Sequence, residues 1–134
     1  MKTIILCGGR GMRLQIGFYQ EVKDAPNMML IDPVGYLDSI VLTKNAQKVL
    51  TDSGGLQKEA YFSKVPCITL DEATGWPETV EDGWNILVGS GKGKTIEAAK
   101  HFEPQGEQRD VFGNGKAVER IAEVFAGWQK VRVA

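Results

Sequence analysis

The sequence predicts an α/β fold in which a parallel β-sheet is covered by helices on both faces. Three observations support this prediction. Short apolar runs of four or five residues alternate with segments of helical periodicity along the chain. The apolar runs are continuous rather than alternating, as expected for strands that are buried on both faces. Each run ends in glycine, proline or acidic residues, which stop a strand and begin a loop.

Five strands are predicted, and each comes from an apolar run that a turn signal closes. The first run stops at Gly8 and Gly9, where the chain gains backbone freedom, and the second stops at Asp32 because Pro33 follows it. The third and fourth runs end in acidic residues, and the fifth ends at a glycine. The predicted strands are residues 3–7, 28–31, 48–51, 66–70 and 85–88.

Five helices are predicted between and after these strands. The first places its apolar residues, among them Leu37 and Val41, on one side and polar residues on the other. The short third helix is expected to close at Gly83. In the last helix four apolar residues form one stripe, and we expect Trp128, which is one of them, to pack against the sheet. The predicted helices are residues 36–48, 56–63, 77–82, 95–102 and 117–131.

Length and composition exclude several classes of protein. The 134 residues suit a single domain, residues 1–134, and the 43% of hydrophobic residues supply a core. A net charge of −1 argues against a nucleic-acid partner, which requires a basic face. No apolar run reaches the roughly 18 residues of a membrane span, and we expect neither a membrane partner nor a signal peptide. His101 is the single histidine, which excludes a multi-histidine metal site, and the two cysteines, Cys7 and Cys67, fit a reducing, cytoplasmic location.

The loop after the third predicted strand carries the strongest motif. Asp52 or Ser53 can cap the next helix, and Gly54 and Gly55 leave the backbone bare at its first turn. Free N–H groups and the positive end of the helix dipole then face one point, which is a natural phosphate site. Glu59 lies one turn further along, where its carboxylate can accept hydrogen bonds from ribose hydroxyls. An ordinary capped helix explains the same residues without any ligand.

Two other loops carry weaker motifs. Residues 89–95 resemble a P-loop, but that motif needs glycine where Val88 stands, so we interpret them as a flexible basic loop. Asp71 and Glu72 follow the fourth predicted strand and could act as an acid and a base. Carboxylate pairs in loops are more commonly just solvated, and this alternative stays open.

The first fourteen residues carry a different motif. After the first predicted strand, residues 7–14 resemble the opening of the sugar-1-phosphate nucleotidyltransferases, with Met12 where that family has threonine. The loop could bind a phosphate through its glycines and through Arg10 and Arg13. A tight turn with solvated arginines explains the same residues.

Residues 26–125 as a whole resemble the carboxyl-terminal half of the non-hydrolysing UDP-N-acetylglucosamine 2-epimerases. Five blocks appear in that family's order, and the block around Ser53 is the longest of them. Trp76 and residues 83–85 are most similar to the branch related to enzymes that act on diacetamido sugar nucleotides. The five blocks are residues 33–38, 50–60, 65–70, 83–89 and 113–121.

The resemblance implies one Rossmann-like half of a glycosyltransferase-B fold, with a UDP-sugar bound between two such halves. It implies inversion at C2 of the sugar, in which loss of the C2 proton and elimination of UDP give a glycal, and UDP is then added back as C2 is reprotonated on the other face. No metal or nicotinamide cofactor is required. Ser53, Gly54 and Gly55 would hold the diphosphate. Glu59 would accept the ribose hydroxyls, and the backbone near Ser39 would contact uracil. The partners would be UDP or a UDP-N-acetylhexosamine, with a second copy of the chain or a complementing amino-terminal half.

Several positions depart from the family pattern. Asp71 stands in place of an arginine, Gly75 in place of a glutamate, and Lys58 in place of one of two adjacent glutamates. An anion at Asp71 beside a diphosphate should weaken binding unless another cation compensates. The family's catalytic acids belong to the amino-terminal half, so no catalytic residue is assigned here. We therefore expect no epimerisation by this chain alone.

The sequence leaves three functions open. The first is a UDP-binding domain of the epimerase type. The second is a nucleotidyltransferase fragment that binds a nucleoside triphosphate and magnesium through residues 8–13. The third is a non-enzymatic domain that binds no ligand and dimerises through exposed apolar surface.

Overall fold

The structure is a computed structural model that describes residues 3–5 and 31–131, with side chains described for residues 31–128. Within these residues, four strands form one parallel sheet, which five helices accompany. The strands follow one another across the sheet in the same order as along the chain. They are β1 (Thr3–Ile5), β2 (Lys48–Thr51), β3 (Cys67–Thr69) and β4 (Asn85–Leu87). The helices are α1 (Tyr36–Lys44), α2 (Gly54–Phe62), α3 (Pro77–Glu81), α4 (Lys92–His101) and α5 (Ala117–Val131).

The strand registers bring the carboxyl ends of the strands to one edge of the sheet. Ile5 pairs with Leu50, Leu50 pairs with Ile68, and Ile68 pairs with Ile86. Parallel strands cannot be joined by a tight turn, so the chain returns through a helix each time. The helices α2, α3 and α4 therefore begin at the carboxyl edge, which is where ligands bind in open parallel sheets.

The core has two layers, one on each face of the sheet. Successive residues of a strand point to opposite faces, so Val49 and Cys67 enter one layer whereas Leu50 and Ile68 enter the other. Helix α2 covers the first layer and α4 covers the second. This arrangement confirms the predicted α/β fold with helices on both faces. The first layer consists of Val49, Leu56, Ala60, Val65 and Cys67, and the second of Leu50, Ile68, Val88 and Ala98.

Three helix boundaries differ from the prediction by more than one residue. Helices α2 and α4 begin at Gly54 and Lys92, two and three residues earlier than expected. The low helix propensity of glycine favoured loops at residues 54–55 and 91–93. In the structure, the packing of the rest of each helix on the sheet extends the helix over its first residues. Helix α1 ends at Lys44 because the side-chain amide of Asn45 donates to the carbonyl of Val41, at 2.8 Å, and terminates the helix.

Some predicted strand residues cannot be compared with the structure. Residues 6 and 7 of the first predicted strand and residues 28–30 of the second lie outside the described residues, as does the nucleotidyltransferase-like loop. Ile31, the last residue of the second predicted strand, is described and lies outside any strand.

Two helices expose apolar residues that their patterns predicted to be buried. On α1, Leu37 is 76% exposed, whereas Thr43 is fully buried. On α5, Trp128 is 62% exposed, so the expectation that it packs against the sheet is wrong. An amphipathic pattern identifies the face of a helix that avoids water, but it does not identify what covers that face.

Candidate functional site

The strongest motif lies where β2 ends and α2 begins. Thr51 is the last residue of β2, Ser53 is the N-cap of α2, and Gly54 and Gly55 are the first two residues of the helix. The backbone N–H of Ser53 donates to the Oγ1 atom of Thr51 at 3.0 Å, which turns the chain out of the strand. Because Thr51 is fully buried in the core, this turn has a fixed position at the carboxyl edge.

The first turn of α2 has backbone N–H groups that the side chain of Ser53 does not cap. Ser53 has the extended backbone of an N-cap, but its side chain makes no capping hydrogen bond. Gly54 and Gly55 are both exposed, so the N–H groups of the turn face solvent. The capping role that the sequence suggested for Asp52 is absent as well: its Oδ1 atom is buried and has no hydrogen-bond partner among the described residues.

Neither glycine of this turn is required by the backbone or by its neighbours. Neither has a positive φ. A Cβ atom on Gly54 would lie 3.5 Å from Trp76 Nε1, and one on Gly55 would lie 3.9 Å from Ser53 Oγ, which are ordinary van der Waals distances. The protein alone could therefore hold alanine at both positions, and alanine favours a helix more than glycine does.

The loop after β3 closes one side of the turn. The indole Nε1–H of Trp76 donates to the carbonyl of Gly54 at 2.8 Å. The backbone N–H of Trp76 donates to Thr74 Oγ1 at 3.0 Å, and that hydroxyl donates to Gln57 Oε1 at 2.6 Å. These bonds join the loop to α2 at two points, so the indole has a defined place beside Gly54.

Lys58 lies one helical turn after Gly54 and contacts the same indole. Its ammonium nitrogen is 4.1 Å from the ring centroid of Trp76 and 4.7 Å from that of Phe112. Phe112 in turn packs edge-on against Trp76, with 5.9 Å between the ring centroids. A cation over aromatic faces is held electrostatically. The sequence identified Lys58 as a departure from the family pattern and Trp76 as a residue typical of one branch, but it gave no sign that they are in contact.

Glu59 and Ser39, the expected ribose and uracil residues, lie on neighbouring helices. Glu59 is half-buried in the second turn of α2, and Ser39 is half-buried near the start of α1, which packs against α2. The backbone N–H of Ser39 donates to the carbonyl of Gly35 at 2.9 Å. This amide is therefore already used inside the helix, which leaves the N–H groups of residues 36–38 for a base.

The acidic pair after β3 is solvated. Asp71 and Glu72 are both exposed, and the Oδ1 atom of Asp71 accepts the backbone N–H of Glu72 at 2.7 Å. The side chain of Glu72 lies over Gly89, where a Cβ atom would be 3.1 Å from Glu72 Cγ. Two exposed carboxylates of this kind fit the solvated pair that the sequence left open as the alternative to an acid and a base.

The P-loop-like segment is more ordered than its composition predicted. Its glycine at position 89 has a φ of +63°, but Lys92 already begins α4, and Thr95 Oγ1 donates to the carbonyl of Gly91 at 3.1 Å. The expectation of a flexible loop over residues 89–95 is therefore wrong for its second half. These residues are helical because α4 packs on the sheet, where its Ala98 belongs to the core.

A polar network joins residues 103–112 to α2 and α3 at the amino edge of the sheet. The Tyr61 hydroxyl donates to Asp82, and the backbone N–H of Arg109 donates to the same carboxylate at 2.9 Å. The bond from Tyr61, with those from Arg109, lowers the pKa of Asp82. Burial, and then Asp82, raise the pKa of Tyr61 to about 12. The sequence did not indicate this network, because its members lie up to 48 residues apart.

Two clefts lie beside residues 103–112. Their volumes are about 450 and 480 Å³, and Lys64 and Trp84 line both of them. Ser53, Gly54 and Gly55 line neither cleft. The candidate phosphate site thus lies outside these two clefts, and its two glycines are exposed.

The remaining expectations concern cysteine, histidine, metals and membranes. Cys67 is buried, which raises the pKa of its thiol to about 12, whereas Cys7 lies outside the described residues. His101 is exposed, with its Nε2 atom 3.9 Å from Glu97 Oε1.

Over the described residues, we find no group of three side chains suited to a metal ion. None of the helices described is long and apolar enough to cross a lipid bilayer.

Comparison with known families gives a match over most of the chain. A family model described as UDP-N-acetylglucosamine 2-epimerase matches residues 7–126. The match begins inside the nucleotidyltransferase-like opening, so it includes the residues on which the nucleotidyltransferase alternative depends.

Individual relatives have substantial sequence identity but are much longer. A UDP-N-acetylglucosamine 2-epimerase homolog of Methanococcus maripaludis is 54% identical over 108 residues, which are 80% of this chain and 30% of that protein. A UDP-2,3-diacetamido-2,3-dideoxy-D-glucuronate 2-epimerase of Pseudomonas aeruginosa is 42% identical over 119 residues, 87% of this chain and 32% of that protein. The chain thus spans about a third of the length of the relatives that it matches.

Solved structures have the same fold. A crystal structure of UDP-GlcNAc 2-epimerase from Methanocaldococcus jannaschii, in complex with UDP-GlcNAc and UDP, is 43% identical with a TM-score of 0.77. The similarity covers 92% of this chain and 35% of that one. The enzyme from Neisseria meningitidis, bound to UDP-GlcNAc, is 26% identical with a TM-score of 0.66, over 93% of this chain and 36% of that one.

Proposed function

Because the chain belongs to the UDP-N-acetylglucosamine 2-epimerase family, we propose that it binds UDP or a UDP-N-acetylhexosamine at the start of α2. The diphosphate contacts Ser53 and the amides of Gly54 and Gly55. Glu59 accepts the ribose hydroxyls, and the first turn of α1 near Ser39 contacts uracil. The protein acts as the nucleotide-binding half of an epimerase.

The two exposed glycines are the single observation that carries this proposal. Glycine in a helix costs about 1 kcal/mol relative to alanine. Gly54 and Gly55 stand in a helix without a positive φ and without a neighbour that a methyl group would displace. A ligand that approaches the backbone closely explains the absence of side chains at both positions, because a Cβ atom would hold it away from the amides.

The relatives support the same ligand. The Methanocaldococcus protein holds UDP-GlcNAc and UDP in its crystal structure, and it is 43% identical to this chain. By this similarity, a full-length epimerase containing these residues removes the C2 proton and eliminates UDP to give a glycal, and then adds UDP back and reprotonates C2 on the opposite face. The 134 residues alone bind the nucleotide and do not epimerise, because no base for the C2 proton is assigned among them.

The apolar faces of α1 and α5 favour a protein partner in addition to the nucleotide. Leu37 and Val41 on α1 and Val124 on α5 are each more than half exposed, which is costly in water. A complementing amino-terminal half or a second copy of the chain would cover these residues. A reducing, cytoplasmic location is proposed on the buried thiol of Cys67.

Calorimetric titration with UDP tests the proposed function. We expect saturable binding by the unchanged chain and at least about tenfold weaker binding by Gly54→Val, whose side chain would cover the amides. Gly93→Val is the matched control, because Gly93 is also exposed in the first turn of a helix and has no neighbour within 4 Å. Equal UDP affinity in Gly54→Val and the unchanged chain would exclude the start of α2 as the site.

A further inference from the structure

We propose that Lys58 is a further diphosphate-binding residue of this chain, whose ammonium group supplies positive charge beside the amides of Gly54 and Gly55. This inference rests on the proposed function, because it concerns the same site. The first turn of α2 provides N–H donors and the helix dipole, which together amount to about half an elementary charge. A diphosphate carries at least two negative charges, so a nearby full positive charge would strengthen its binding.

The contacts of Trp76 place the ammonium group close to the turn. One indole ring makes both contacts: its nitrogen donates to the carbonyl of Gly54 at 2.8 Å, and its face lies 4.1 Å from the Nζ atom of Lys58. Only the width of one indole therefore separates the ammonium group from the first helical turn. Exposed charges interact over a Debye length of about 10 Å at 0.1 M salt, which exceeds that width.

The aromatic contacts also fix the position of an otherwise mobile side chain. A free lysine loses side-chain rotamer entropy when a ligand immobilises it. Here Trp76 and Phe112 already hold the ammonium group, and the ring of Phe62 lies 6.0 Å from it. The side chain is half-buried against these rings, so the ligand meets a charge that is already in place.

Negative charges near the start of α2, at the carboxyl edge of the sheet, increase the effect of the Lys58 charge on diphosphate binding. Asp52 precedes the turn, with one carboxylate oxygen buried, and the exposed Asp71 follows the neighbouring strand. Both carboxylates repel a diphosphate at a parallel-sheet edge. A cation over Trp76 offsets part of that repulsion at the point where the phosphates approach the amides.

Four proteins and two salt concentrations test the proposal by titration with UDP. Lys58→Met removes the charge and keeps an apolar stem of similar length against the rings, and Lys58→Arg keeps the charge. Lys100→Met is the matched control, because it removes the same charge from an exposed position at the end of α4. Titrations at about 20 mM and about 500 mM salt separate a charge effect from a packing effect, because salt screens only the former.

We expect Lys58→Met to weaken UDP binding about fivefold at low salt and less than about twofold at high salt. Lys58→Arg and Lys100→Met should stay within about twofold of the unchanged chain at low salt. An equal loss in Lys58→Met at both salt concentrations would assign a packing role only, and no loss at low salt would exclude Lys58 from the site. Failure of the unchanged chain to bind UDP would instead contradict the proposed function itself.

Discussion

At the scale of single residues, the phosphate site illustrates a conflict between stability and ligand binding. Gly54 and Gly55 weaken the start of α2, although the free protein has space for a side chain at both positions. Conflicts of this kind are typical of functional positions, because a site selected for stability alone would contain alanine. Sequence analysis predicted the glycines as a phosphate turn, but the available space could be judged only from the structure.

The substitution Gly55→Ala tests this conflict directly. We expect the variant to gain between a few tenths and about 1 kcal/mol in free energy of unfolding, because alanine favours the helix. Its affinity for UDP should fall at least about tenfold, because the methyl group would project over the amides. Urea denaturation and calorimetry measure the two quantities. A variant that is both more stable and fully competent to bind UDP would contradict the proposed ligand contact.

Asp82 should make the stability of the protein depend on acid. Its pKa lies below the ordinary value of 3.8 because Tyr61 and Arg109 donate hydrogen bonds to its ionised form. A lowered pKa contributes stability that is present above pH 4 and is lost as the pH falls through the folded-state value. Asp82→Asn should be about 2 kcal/mol less stable at pH 7, with a weaker loss of stability between pH 5 and pH 2. Denaturation at a series of pH values measures both effects, and parallel curves for the two proteins would contradict the assignment.

Tyr61 should make the stability of the protein depend on pH in the alkaline range. Burial and the neighbouring carboxylate raise its pKa from 10.0 to about 12. The neutral phenol therefore contributes stability that is complete below pH 10 and is lost as the pH rises towards 12. Tyr61→Phe removes this alkaline dependence, together with the hydrogen bond to Asp82. Thermal denaturation between pH 8 and pH 11 compares the two proteins, and an unchanged alkaline slope in the variant would be the contrary result.

At the scale of elements, a buried chain of hydrogen bonds connects the sheet to the loop that carries Trp76. Thr69 on β3 donates to Asn85 on β4 at 2.8 Å, and Asn85 donates to Thr79 on α3 at 3.1 Å. Thr79 then donates to the carbonyl of Trp76 at 2.7 Å. The helix boundaries followed from the sequence to within four residues, but these contacts join four separate segments and have no local pattern.

Asn85→Leu interrupts this chain of hydrogen bonds at its centre. Both partners of Asn85 are fully buried and would lose a bond that water cannot replace. We expect a loss of about 2–3 kcal/mol in free energy of unfolding, together with a shift of the Trp76 indole N–H resonance. Chemical denaturation and NMR measure these changes. A destabilised variant in which that resonance stays at its original position would show that the chain of bonds supports the sheet alone.

At the scale of the whole molecule, the described part of the chain exposes apolar faces on α1 and α5. The chain spans about a third of the length of its relatives. On α5, Ile121, Phe125 and Trp128 are each more than half exposed, as is Leu37 on α1. In isolation such a surface favours self-association, because water is released from apolar groups.

Ile121→Asp tests whether α5 mediates self-association. The unchanged chain should show a molar mass that rises with protein concentration in light scattering, whereas the variant should remain monomeric. Glu123→Lys on the same helix is the control, because it alters charge and leaves the apolar residues intact. A monomeric unchanged chain at high concentration would contradict the role of α5 in forming a dimer.

The sequence by itself determined the strand–helix alternation, the parallel sheet and the glycine turn after β2. These features depend on neighbours in the chain, since periodicity, turn residues and capping act over a few positions. Only the tertiary structure decided that Trp76 and Lys58 flank that turn, that Asp82 joins Tyr61 to Arg109, and that the apolar stripe of α5 stays uncovered. Each of these depends on segments that meet only after folding, because the spacing of residues along a chain carries no record of contacts between distant segments.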